Sequence, residues 1–210
     1  LLAAIAFGAK IDFADVELEG IDRVSIDDIR HAAELGYRIK LLGVAQMSGR
    51  GLECRMAPCL VPAGSPLGQL EGPTNMVVLE GAPVGRITLS GPGAGEGPTA
   101  SAVMADIIDL ARGNCPPVFG QPVAGLEALP PARSAVAAPY YLRLDLVDRP
   151  GALARVAAAL GEAGVSIDRM RQTGHSDATA PVLIVTHKTT RDAIETAQAG
   201  FAASGVGQGE

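Results

Sequence analysis

Apolar and polar positions alternate with a strand period over several stretches of this chain. In residues 37–47, Arg38 and Lys40 alternate with Ile39 and Leu41, and a second apolar run at 52–61 follows across Ser48-Gly49-Arg50-Gly51. The two read as a β-hairpin. A further pair, 75–80 and 85–90, flanks a Gly-Ala-Pro-Val turn, with Arg86 and Thr88 set against Ile87 and Leu89. These four strands are expected to share one sheet. Upstream, Ser25 with Asp28 three residues on has the form of a capping box, and Ile26, Ile29, Ala33 and Leu35 recur at near-helical spacing, predicting a short helix up to Gly36. Downstream, a glycine loop at 91–97 runs into a helix with an apolar stripe of Val103, Ile107, Leu110 and Ala111, whose start is expected at Pro98 or Thr99.

The last third carries strand and helix periods in a different order. Leu142, Leu144 and Leu146 alternate with Arg143, Asp145 and Val147, a half-buried strand; Asp148-Arg149-Pro150-Gly151 then turns the chain into a helix whose face is Leu153, Val156, Ala157 and Leu160. Strands at 165–174 and 180–188 and a helix at 189–201 follow. The order β-α-β-β-α lacks one strand of a ferredoxin-like sandwich. The closing residues, 204–210, are expected to be too short and glycine-rich to supply it, as though the chain were cut there. Its opening nine residues, apolar up to the last, read as the final turns of a buried helix without its beginning, so a fragment is expected.

Between Gly113 and Pro139 fall six of the fifteen prolines and only two charged residues, Glu127 and Arg133. Proline at that density predicts an extended, semi-rigid linker. The expected organisation is therefore a unit at 1–113, a linker at 114–139 and a second unit at 140–210. The fold class is α+β: a mixed or antiparallel sheet domain followed by a ferredoxin-like one.

Composition narrows the function classes. With 17 Lys plus Arg against 23 Asp plus Glu, the 210-residue chain carries a formal charge of −6, which argues against a broad nucleic-acid or anionic-membrane surface. There is no Trp, aromatics are 3%, and 26 glycines accompany a hydrophobic fraction of 48%, so the core must be aliphatic. No apolar run approaches a bilayer span. Cys54, Cys59 and Cys115 form no CxxC pair and are odd in number, which predicts reduced thiols and a cytoplasmic setting. His31, His175 and His187 are scattered, with no spacing for a metal site or a Cys-His nucleophile. The acidic residues Asp12, Asp15, Glu17, Glu19 and Asp22 read as a solvated loop.

Two segments could carry chemistry. Gly91-Pro92-Gly93-Ala94-Gly95-Glu96-Gly97 lies between a strand and a helix, where backbone without β-carbons can approach a phosphate or a carboxamide oxygen; it is equally a tight turn needing positive φ. It is neither a Walker loop nor a regular GxGxxG. Asp148-Arg149-Pro150-Gly151 can offer backbone N–H groups to a small carboxylate, or be an ordinary Pro-Gly turn.

Beyond these patterns the chain resembles a known family. Residues 18–25 (LEGIDRVS), 33–43 (AELGYRIKLLG), Leu60-Val61-Pro62, and Gly91-Pro92-Gly93-Ala94-Gly95 with 98–103 (PTASAV) look like the C-terminal half of the homoserine dehydrogenase catalytic domain. Residues 140–204 resemble the ACT domain that many bacterial members carry, with Asp148-Arg149-Pro150-Gly151 and Gly164-Val165-Ser166-Ile167 as signatures. The resemblance implies NAD- or NADP-dependent interconversion of L-homoserine and L-aspartate 4-semialdehyde, a step toward threonine, methionine and isoleucine. Hydride would pass between the nicotinamide and the semialdehyde carbon. It implies a homodimer or homotetramer, a dimer sheet in the first unit, a dinucleotide-binding domain preceding it, and L-threonine as the first candidate effector. The family's catalytic lysine and its substrate-binding acids map upstream of Leu1, and Lys10 lies past the matching position, so no catalytic residue is assigned. What carries over is Gly95, with Gly93 as companion, at the cofactor; and Asp148, Pro150, Gly151, Ala152 and Ser166 at the effector, Ser166 standing where asparagine is common. Two alternatives are kept: a non-enzymatic amino-acid-binding and oligomerisation module, and a phosphate-binding protein built on residues 91–97.

Overall fold

The computed structural model describes residues 1–133, 136–172, 179–203 and 207–209. His175 lies outside them. The chain groups into two compact units: 1–44 with 55–129, and 45–54 with 130–210. A hairpin tip from the first half of the sequence thus belongs to the second unit.

The first unit opens with α1 (Leu2–Phe7), closed by Gly8 at φ 60, whose N–H donates to Ala4. Of its side chains only Ala4 is buried, and Leu2 is 66% exposed, so the expectation of a buried helix is not met in this chain. β1 (Ala9–Lys10) follows, then β2 (Glu17–Leu18). The capping box is real: α2 (Ile26–Glu34) starts where Ser25 Oγ accepts from Asp28 N at 3.1 Å and the Asp28 carboxylate accepts from Ser25 N at 2.8 Å. β3 (Tyr37–Ser48) and β4 (Gly51–Pro62) form the hairpin read from their alternation, and β2 pairs parallel to β4, giving the order β2-β4-β3.

The expectation of a single four-stranded sheet fails. β5 (Thr74–Gly81) and β6 (Gly85–Pro92) pair in register from Thr74↔Pro92 to Gly81↔Gly85, and among the described residues they form a sheet of their own. Period-two alternation reports that a strand has two faces, not which strand it pairs with. α3 (Glu96–Ala111) begins two residues before Pro98, with Gly95 as its N-cap. None of its residues is buried.

The proline-rich stretch is more structured than a linker reading predicts. β7 (Glu127–Ala128) pairs parallel with β1. Further on, Leu52 bridges Pro131 and Ala138 bridges Thr189.

The second unit holds β8 (Tyr141–Val147), α4 (Ala152–Glu162), β9 (Ile167–Gln172), β10 (Thr179–Thr186), α5 (Arg191–Ala203) and β11 (Gly207–Gly209), with the sheet ordered β11-β8-β10-β9. The sixth element corrects the sequence expectation: Gly207–Gly209 pairs antiparallel with Leu146–Leu144 and completes βαββαβ. Strand pairing is made by backbone groups, so glycines can close a sheet while leaving no side-chain pattern to read. The core is aliphatic as composition requires. Leu142, Leu144 and Leu146 from β8, Val182 and Ile184 from β10, Val156 and Leu160 from α4, and Ile194 and Phe201 from α5 are each at most 4% exposed. Full burial of side chains of this size contributes about 1.5–3 kcal/mol each.

Candidate functional site

Two places in the fold bring backbone polar groups to the surface where the sequence singled out chemistry. The first is the turn from β6 into α3. Gly93 N donates to Pro73 O at 3.2 Å, and a Cβ on Gly93 would fall on the Asn75 amide, 1.2 Å from Nδ2. Gly95 sits at φ 123, ψ 156, a conformation that L side chains rarely adopt, and its carbonyl accepts from Thr99 N at 3.1 Å. Gly95 is required by its backbone conformation, and Gly93 by the Asn75 side chain that occupies the place of a Cβ. The turn is also exposed, so the amides of Glu96 and Gly97 at the start of a 16-residue helix face solvent with the positive end of its dipole. Glu96 puts a carboxylate in that first turn. An acid there stabilises the helix and repels a phosphate, so the turn suits a neutral carboxamide oxygen better.

The second place is the turn from β8 into α4. Arg149 N donates to Val147 O at 2.8 Å and Ala152 N to Arg149 O at 3.1 Å. Gly151 is the helix N-cap at φ 86, and Arg155 N donates to its carbonyl at 3.1 Å. Asp148, Arg149, Pro150 and Gly151 are exposed, while Ala152 is buried at 4% and anchors the turn to the core. An αL glycine here leaves open space beside the helix amides.

Ser166 does not join that turn. It is exposed at the start of β9, its carbonyl accepting from His187 N at 2.9 Å. The pairings Thr179↔Val147 and Thr186↔Ile167 put the β8–α4 turn and the start of β9 at opposite ends of the sheet. The 11 residues of α4 separate them by about 16 Å.

Other reactive groups are quiet. Burial pushes the thiols of Cys54 and Cys59 up, which makes them poor nucleophiles near neutrality. The three cysteines are unpaired, and among the described residues no cluster of His, Cys, Asp and Glu could hold a metal ion. The hydrogen bond from Arg38, at 2.6 Å, holds the Glu71 carboxyl below the usual carboxylate range; this pair ties the loop after β4 to β3.

Sequence reading missed two features. One is an apolar cleft of about 370 Å³ in the first unit, lined by Ala4, Ala9, Ile11, Phe119 and Leu126, with Lys10 as its single charged residue. Its signal was the apolar opening segment together with Phe119 and Leu126 in an otherwise proline-rich stretch. The other is Glu53, buried at 5% on β4, whose carboxylate accepts from Val136 N at 2.9 Å. A lone acid in an apolar strand was the available sign.

Comparison with known proteins places this architecture. A family model described as homoserine dehydrogenase matches residues 1–108, and one described as ACT domain matches 140–199. A homoserine dehydrogenase of Neisseria gonorrhoeae is 40% identical over 213 residues, covering 97% of this chain and 48% of the relative. One from Pseudomonas aeruginosa is 36% identical, covering 97% and 49%. The crystal structure of a homoserine dehydrogenase from Thiobacillus denitrificans matches with a TM-score of 0.88 at 36% identity, over 98% of this chain and 48% of that one. A Staphylococcus aureus homoserine dehydrogenase, 21% identical over 100% of this chain and 49% of that one, shares the fold at a TM-score of 0.66. The chain spans about half the length of the curated relatives it matches. Together, the two-unit architecture and a family model spanning more than half of the residues show that the chain belongs to the homoserine dehydrogenase family.

Proposed function

We propose that these residues form the substrate-side, dimer-forming and regulatory half of an NAD- or NADP-dependent enzyme that interconverts L-homoserine and L-aspartate 4-semialdehyde. The observation that carries the reading is the joint one: both family models match in order on a chain whose β6–α3 turn needs Gly93 and Gly95 for its backbone to come close to anything. The nicotinamide, when bound, accepts or donates the hydride. The residues present fit one edge of that group. Gly95 and the amides of Glu96 and Gly97 would hold a carboxamide oxygen, and Gly93 would keep the approach clear of a side chain. Substrate orientation and proton movement fall to residues outside these 210. The organisation read from composition is retained in this proposal, with 1–113 on the substrate side and 140–210 as the regulatory domain.

In the second unit the proposed ligand is an amino acid, with L-threonine first. Asp148, Pro150, Gly151 and Ala152 form its proposed site in the β8–α4 turn: Asp148 and Gly151 present backbone to the carboxylate, Pro150 contributes its fixed φ, and Ala152, whose N–H donates to Arg149 O, seats the turn on the core. Because Ser166 lies at the other end of the sheet, a site that uses both takes two copies, the turn of one facing Ser166 of the other. This supports a homodimer or a higher, even-numbered assembly such as a homotetramer. Unpaired thiols support a reducing, cytoplasmic setting.

Calorimetry of the chain with L-threonine, L-methionine and NADPH tests the reading. Amino-acid binding that is lost in Gly151→Val and reduced in Ser166→Ala is the expected result. Absence of heat with either amino acid at millimolar concentration contradicts the effector assignment. Amino-acid binding in a longer protein that shows no NAD(P) affinity would favour a non-enzymatic module.

A further inference from the structure

Residues 114–139 were expected to be a linker, yet residues 130–132 and 136–140 carry hydrogen bonds within the second unit. Leu52 N donates to Pro130 O at 3.1 Å and Ala132 N to Leu52 O at 3.1 Å, a parallel bridge between the hairpin tip and the start of this segment. Four residues on, Val136 N donates to the buried Glu53 carboxylate at 2.9 Å. Ala138 and Thr189 then exchange both backbone bonds at 2.9 Å, and Tyr140 N donates to Thr186 Oγ1 at 2.9 Å. Leu52, Glu53, Ala132, Thr186 and Thr189 are all at most 9% exposed. The approach at the hairpin tip admits only glycine: Gly51 has φ 134, and a Cβ there would lie 2.1 Å from Pro130 O.

The far end of this segment meets the candidate effector residue. His187, next to Thr186, donates its N–H to Ser166 O. A series of hydrogen bonds therefore runs from the exposed Ser166–His187 pair, through the buried Thr186 and Thr189 and the half-buried residues Val136, Ala138 and Tyr140, to the buried Glu53 and Leu52. The tip is the turn end of β3 (Tyr37–Ser48) and β4 (Gly51–Pro62).

We propose that residues 130–132 and 136–140 act as a strap that couples the Ser166 end of the second-unit sheet to the β3–β4 hairpin tip, with Glu53 as the positioning residue that fastens it. Buried hydrogen-bonded contacts of this kind have few intermediate states, so the strap is fastened or released. The direction of signalling rests on the reading of Ser166 as part of an amino-acid site; the fastening itself does not.

Site-resolved amide exchange on the 210-residue chain tests it. Glu53→Ala and Gly51→Ala are compared with Glu53→Gln, whose amide oxygen can still accept from Val136 N. Without ligand, Glu53→Ala is expected to speed exchange about tenfold or more at Leu52, Ala132 and Val136, and also at Ala138 and Thr189 beyond the substituted residue's reach, while Val182 and Ile184 keep their protection. Glu53→Gln recovers most of the protection. Unprotected Leu52 and Ala132 in the unsubstituted chain, or unchanged exchange at Ala138 and Thr189 in Glu53→Ala, overturns the strap. Should Glu53→Ala also expose Val182 and Ile184, Glu53→Gln decides: wild-type-like Ala138 and Thr189 with a protected core supports the strap, and exchange as fast as in the alanine variant with a protected core overturns it. With L-threonine, added protection at His187 is expected to reach Leu52 in the unsubstituted chain and to stop short of it in Glu53→Ala. Protection reaching Leu52 equally in both overturns the coupling. If threonine protects no amide, the effector reading falls and the ligand-free comparison alone judges the strap.

Discussion

Gly93 and Gly95 are required for different reasons, and their substitutions should behave differently. At Gly95 the backbone itself, at φ 123, penalises any side chain. Gly95→Ala should therefore destabilise the start of α3 by about 1–2 kcal/mol, read from urea midpoints, and weaken cofactor affinity in a longer, cofactor-binding protein. Gly93 has an allowed backbone and a blocked neighbour, so Gly93→Ala has to displace the Asn75 amide, and Asn75→Ala should relieve much of its cost. Ser166→Asn puts a longer donor–acceptor side chain at the start of β9 and is expected to tighten amino-acid binding, measured by calorimetry. The buried thiols set a pH dependence. The folded chain holds Cys54 and Cys59 protonated to higher pH than the unfolded chain does, so their contribution is complete below the ordinary thiol range and is lost as pH rises through it. Stability should fall as pH rises through and above the ordinary thiol range, and fall less in the double variant Cys54→Ala, Cys59→Ala. At this scale the glycines and the capping pair were legible because special backbone angles and caps restrict residue type. Glu53 was not, since its partner lies 83 positions away.

Elements that carry a side-chain alternation, a helical spacing or a cap were read as elements, and those held by backbone alone were not. α2 announced itself through Ser25 and Asp28; Ser25→Ala should cost about 1 kcal/mol by denaturant titration. β8 and β10 pair within the core, where Ile184 is 0% exposed, and Ile184→Ala should cost about 2–5 kcal/mol by the same measurement. β11 was invisible because three residues, two of them glycine, carry no alternation. Likewise β7 and the bridges at Pro131 and Ala138 lie in a stretch where proline density argued for a spacer. Proline removes donors at its own positions and leaves its neighbours free to pair. The strap at 130–132 and 136–140 is made of such neighbours.

Across the whole chain, the second unit holds the buried core and the first leaves its last elements bare. Met104, Val103, Ile107 and Leu110 on α3 are 50–64% exposed, and Leu89 on β6 is 60% exposed. Apolar surface of this kind is usually covered in a working assembly. In the family reading the cover is a second copy at the dimer sheet and the upstream cofactor-binding half. Sequence resemblance carried that reading, because composition and periodicity reached only an α+β chain with a glycine loop and a Pro-Gly turn. Charge and hydropathy spoke against some partners and identified none.

Whether these residues are half of an enzyme acting on homoserine is decided most simply by spectrophotometry. The reading frame that contains this chain, with the upstream half its relatives carry, is assayed for reduction of NAD or NADP on addition of L-homoserine, beside the 210-residue chain alone. The account predicts homoserine-dependent formation of reduced nicotinamide by the longer protein and none by the chain alone. A folded longer protein that binds NAD(P) and reduces neither cofactor with homoserine would contradict it.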